Sequence, residues 1–106
     1  MSANTTQWIM ALNHPLRRQV LRVVKEGGTA SATELCQRFD LPLSNVSYHV
    51  KVLVDLGVLK LVRTRKVRGA KERFYRVASD GQAEWVRVVL EDTRSSDSKA
   101  RHLARR

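Results

Sequence analysis

Between positions 60 and 76 the chain carries eight cationic side chains, Lys60, Arg63, Arg65, Lys66, Arg68, Lys71, Arg73 and Arg76, opposed by Glu72 alone. Lysine and arginine also guard exposed strand edges against pairing with other chains. That duty needs fewer charges than are present. Contact with a polyanion fits better, and Arg63, Arg65, Lys66, Arg68, Lys71 and Arg73 are the residues expected to make it. A second set, Ser44, Asn45, Ser47, Tyr48 and Lys51, lies upstream at helical spacing. Asparagine can pair with an adenine edge, and hydroxyls and helix N-termini can hold phosphate. The competing reading of these residues is an ordinary wet helix face. Ser44 is also placed to cap the helix, so two roles stand open for it.

Other chemistries find little to work with. Cys36 is the single cysteine, which rules out an internal disulfide and a thiolate metal cluster. His14, His49 and His102 stand far apart and do not form a set with metal-ligand spacing. The sequence lacks a glycine-rich phosphate loop, a nucleophile elbow and a histidine–carboxylate constellation. Neither an enzyme nor a cofactor or metal is expected.

Composition narrows the partner. Twenty Lys and Arg against ten Asp and Glu give a formal net charge of +10 over 106 residues, pointing to DNA, RNA or an anionic membrane surface. With 42% apolar residues one hydrophobic core is the expected organisation. No apolar run nears the roughly 18 residues of a membrane span. The opening MSANTTQW has neither the basic start nor the apolar centre of a secretory signal, so a cytoplasmic location is expected.

The elements that must position these residues follow from periodicity and punctuation. Residues 5–12 place Trp8, Ile9 and Leu12 on one stripe, and His14-Pro15 opens a helix over 15–26 that Gly27-Gly28 ends. Ser31 and Glu34 have capping-box spacing, predicting a helix over 31–39. A tight turn leads to a helix over 43–56, with Val46, Val50 and Leu53 inward and Gly57 as its stop. The period then changes to two strands, near 58–64 and 72–77, joined through Arg68-Gly69-Ala70-Lys71. A last helix over 80–92 aligns Trp85, Val89 and Leu90. Residues 94–106 are basic, lack apolar periodicity and are expected to be disordered. The prediction is a mainly α chain with a small hairpin (α+β), a winged helix-turn-helix over residues 1–93.

From residue 10 to 78 the chain resembles the ArsR-like winged-helix regulators. The resemblance rests on LNHPLRRQVLRVV (12–24), LPLSNVSYHVKVLVDLGVLK (41–60) and FYRV (74–77). Within the middle block it is carried by Leu41, Ser44, Val46, Ser47, His49, Val50, Lys51, Leu53 and Gly57. It implies a transcription regulator that reads double-stranded DNA with the 43–56 helix and grips it with the wing. Ser31 and Thr33 would add backbone contacts. It also implies a homodimer paired through Trp8, Ile9, Leu12, Trp85, Val89 and Leu90, and by analogy a repressor. A protein-interaction module of the same fold and a binder of structured RNA are the alternatives. Where metal sensors of that family place a Cys-x-Cys pair, this chain has Ser31 and Thr33. Cys36 falls at a packing position and is expected to be buried.

Overall fold

Each helix boundary has a local chemical cause. In the computed structural model, which describes residues 3–78, helix α1 (Thr5–Leu12) is opened by a capping box between Asn4 and Gln7. Helix α2 (Pro15–Gly27) starts with proline at N1, where its missing N–H costs nothing. His14 caps it, its Nδ1 accepting from the Leu16 N–H at 3.1 Å. Arg17 and Arg18 turn back and donate to the carbonyls of Met10, Ala11 and Leu12, at 2.7–3.2 Å. Both are cations at a helix C-terminus, where the dipole favours them.

A two-residue strand, β1 (Ala30–Ser31), precedes helix α3 (Ala32–Phe39). Ser31 caps α3 in the predicted capping box with Glu34. Asp40, in the left-handed region, turns the chain towards helix α4 (Leu43–Asp55). A Schellman motif ends α4: Gly57 N–H donates to Val54 O and Val58 N–H to Leu53 O. Gly57 has φ +80°, which glycine adopts without a steric cost.

Strands β2 (Leu59–Val67) and β3 (Ala70–Val77) pair antiparallel, and β1 joins the far side of β3, giving the order β1-β3-β2. Arg68 and Gly69 form a two-residue connection, both with positive φ (52° and 84°), as a type I′ hairpin turn requires. Leu61 faces Tyr75 and Arg63 faces Phe74, leaving Val62 as a bulge. Trp8, Leu16, Val20, Leu21 and Val24 form one core with Leu35, Phe39, Val46, Val50, Leu53, Val58 and Leu59.

The winged helix-turn-helix expectation stands, with three refinements. The hairpin runs further than 58–64 and 72–77, because its outer third is charged and hid the strand signal. Strand β1 was not foreseen. Cys36 is half-buried rather than buried, its thiol donating to the Thr33 carbonyl on the rim of the core. The helix expected over 80–92, with Trp85, Val89 and Leu90, and the tail over 94–106 lie outside the described residues. Among the described residues no helix is long and apolar enough to cross a membrane.

Candidate nucleic-acid interface

Helix α4 is divided along its length into a held side and an open side. Val46, His49, Val50 and Leu53 are buried, while Ser44, Asn45, Tyr48 and Lys51 are exposed and Ser47 is half-buried. Pro42 precedes the helix and there is no side-chain cap, so Ser44 does not take the capping role. Its hydroxyl stays in the exposed first turn, where the positive end of the helix dipole favours an anion. Tyr48 is 62% exposed, a large surface for an aromatic side chain, and is therefore free to meet a partner. Lys51 shares an exposed ion pair with Asp55 at 3.2 Å, a contact weak enough to yield to a phosphate.

His49, on the held side, stacks on His14 with ring centroids 4.4 Å apart, and Tyr48 meets it edge-on. Burial, then the neighbouring His14 and Arg17, push its pKa down to about 4. The pair is therefore neutral packing between α2 and α4, and no group of three or more His, Cys, Asp or Glu that could hold a metal occurs among the described residues.

The hairpin register sorts the wing cations into two faces. Side chains alternate along a strand, and the bulge at Val62 resets the alternation on β2. Lys66, Lys71 and Arg73 share a face with Tyr75, which packs on the core. Arg63 and Arg65 share the other with Phe74 and Glu72. There the Arg63 and Arg65 guanidiniums lie over the Phe74 ring, 4.1 and 5.5 Å from its centroid, leaving Phe74 only 3% exposed. Arg68 stands at the tip.

A groove of about 550 Å³ runs between the helix-turn-helix and the wing. Thr33, Ser47, Lys51, Lys71, Arg73 and Tyr75 line it, so three elements deliver hydroxyls and cations to one cleft, where Asp55 and Glu72 add two carboxylates. Five of the first six were expected from sequence as contact residues. Arg63 and Arg65 are not among those lining it.

Two expectations change. Ser31 was expected to touch a DNA backbone, but it is fully buried. Its hydroxyl oxygen accepts from the Glu34 N–H and its proton goes to Glu72 Oε2 at 2.7 Å, so no bond is left for a phosphate. Thr33, two residues on, is exposed. On α1, Trp8 and Leu12 are buried within this chain, whereas Ile9 and Met10 are each about half exposed. The apolar surface that α1 offers is thus Ile9 and Met10. Sequence reasoning missed Glu72 and Phe74 as organisers of the wing; only the strand register brings them beside Ser31, Arg63 and Arg65.

A family model described as a helix-turn-helix domain matches residues 12–62. No curated protein matches the chain significantly. Among solved structures, reduced HlyU from Vibrio cholerae is 26% identical, with 81% of this chain and 80% of that one covered and a TM-score of 0.59. The transcriptional repressor PagR of Bacillus anthracis is 20% identical, with 81% and 87% covered and a TM-score of 0.58. An ArsR family transcriptional regulator is 24% identical, with 93% and 94% covered and a TM-score of 0.55. With the helix-turn-helix matched in sequence and the hairpin beside it in space, the chain carries a helix-turn-helix domain in a winged-helix fold and is similar to the ArsR-like regulators.

Proposed function

We propose that this DNA-binding regulator is a sequence-specific homodimer that acts as a repressor. The observation that carries the reading is the groove between α4 and β3. It sets the Ser47 hydroxyl and the Lys51 ammonium opposite Lys71 and Arg73, beside a wing with eight cations and one anion. A duplex backbone seated there would bring the exposed Asn45 and Tyr48 against base edges in the major groove. Thr33 and Ser44 would hold phosphate, and Lys66 and Arg68 would reach the flanking backbone. Ser47, half-buried and lining the groove, lies between these tasks. Repression is taken from the neighbours: PagR is described as a transcriptional repressor, and AntR as an antimony-specific one. Dimerisation is proposed through the exposed Ile9 and Met10 together with the segment around Trp85, Val89 and Leu90.

Selection of duplexes from a random pool, followed by binding of the selected site and the pool at low and moderate salt, tests this. A selected site with two related half-sites about one helical turn apart is expected. Binding to the pool should weaken steeply with salt. Absence of binding to any duplex at low salt contradicts the reading and favours an acidic protein or RNA as the partner.

A further inference from the structure

We infer that Glu72 is a positioning residue that fixes the angle of the wing against the helix-turn-helix, and so determines how sharply the protein distinguishes its site from other duplexes. This rests on the DNA-binding reading above. Glu72 joins the two halves of the interface. Its Oε2 accepts from the Ser31 hydroxyl, the cap of α3, and its Oε1 accepts from Arg65 of β2, each at 2.7 Å. Ser31 in turn holds the Glu34 amide, so an unbroken hydrogen-bonded path runs from the first turn of α3 to the outer wing strand.

The placement suits this task. Beyond Phe74 no residue of β1 pairs with β3, and every residue from Lys60 to Lys71 is exposed. The outer hairpin therefore buries no side chain to set its direction, apart from the ring of Phe74 under the Arg63 and Arg65 guanidiniums. The Glu72 side chain is only 15% exposed. It is held ionised by the Ser31 hydrogen bond first and Arg65 second, with its pKa lowered. A short charge-assisted bond between fixed groups restrains direction better than a mobile surface pair.

A purely electrostatic role makes the opposite forecast. Glu72 is the one anion among the wing cations, so deleting it raises the positive charge facing a polyanion and should strengthen binding everywhere. The positioning role makes a mixed forecast: random-pool affinity holds or rises, while the preference for the selected site falls about tenfold, the size of one lost base discrimination.

The test compares wild type, Glu72→Gln, Ser31→Ala and the double variant on the selected duplex and on the unselected pool. Amide hydrogen exchange of residues 60–76 is measured in parallel without DNA. Expected are faster hairpin exchange and a reduced site-to-pool ratio in Glu72→Gln. Ser31→Ala breaks the same path without changing the charge, and the double variant should lose no more preference than the worse single. An unchanged ratio and unchanged exchange in Glu72→Gln, with wild-type binding intact, overturns the inference alone. So does an equal gain on both duplexes, or simple additivity. Absence of wild-type binding to either duplex removes the DNA reading and this inference with it. Ser31→Ala also weakens a helix cap, so the exchange data on Glu72→Gln decide if that variant does not fold.

Discussion

Helix α4 and the hairpin differ in how much of each the rest of the chain holds. Along α4, Val46, His49, Val50 and Leu53 are buried at one-turn spacing, which fixes the rotation of the helix and so which residues look outward. Of the hairpin beyond Leu59, only Phe74 and Val77 are buried, and its pose depends on β3 pairing and on the Ser31–Glu72–Arg65 path. The open face of α4 is short and mostly neutral, whereas the wing is long and cationic. A rigid neutral face suits discrimination between bases, because small displacements cost hydrogen bonds. A charged arm whose direction is set at its base suits backbone contact, which fixes register on the duplex and carries no sequence information directly.

The comparison breaks most readily through stability. Leu53→Ala in α4 should cost about 2–5 kcal/mol by leaving a cavity in a closed site, while Leu61→Ala on the exposed wing should stay within about 0.5 kcal/mol; urea unfolding of both gives the contrast. Next in size is binding. Lys66, Arg68 and Lys71, which make no ion pair among the described residues, changed together to alanine should lower affinity for random duplex on the order of 100-fold, and flatten the salt slope by about 2–3. Asn45→Ala with Tyr48→Ala should act differently, eroding preference between duplexes about tenfold with the salt slope kept.

Two smaller effects sharpen the picture of the held side and the tip. His49 is neutral in the folded chain down to about pH 4, but in the unfolded chain it takes up a proton near its ordinary value of 6.5. The unfolded state therefore binds more protons in that window, and stability must fall as pH falls from 6.5 towards 4. His14, also lowered, adds in the same sense. Glu72 adds loss only below its ordinary value of 4.5, so urea midpoints between pH 6.5 and 4.5 isolate the histidines. His49→Gln should flatten that slope. Smallest is Arg68→Asn, which replaces a left-handed arginine by a residue that tolerates φ +52° and should gain roughly 0.5 kcal/mol in thermal stability while weakening duplex binding slightly.

Much of the scaffold was legible because its signals are local. Ser31-x-x-Glu34, Pro15 and Gly57 each act within one turn of their own position, and each marks the boundary that the structure shows. The polar face of α4 followed from the apolar spacing of Val46, Val50 and Leu53. What could not be read depends on partners distant in sequence. The outer wing strands carry charge on both faces, so no alternation marks them. Val62 shifts the register by one residue, and without it the face shared by Arg65, Phe74 and Glu72 cannot be assigned. Ser31 was legible as a cap but not as a buried one, since its covering comes from a residue 41 positions away. Trp8 and Ile9 are neighbours on one apolar helix, and only packing shows that the first is buried and the second exposed.

The division of labour between α4 and the wing is tested most directly by the salt dependence of random-duplex binding, measured side by side for wild type, the Asn45→Ala/Tyr48→Ala variant and the Lys66→Ala/Arg68→Ala/Lys71→Ala variant. Wild type and the α4 variant should give parallel plots of log affinity against log salt, and the wing variant a flatter one by about 2–3. Parallel plots for all three, or a flattened plot for the α4 variant instead, would contradict the account.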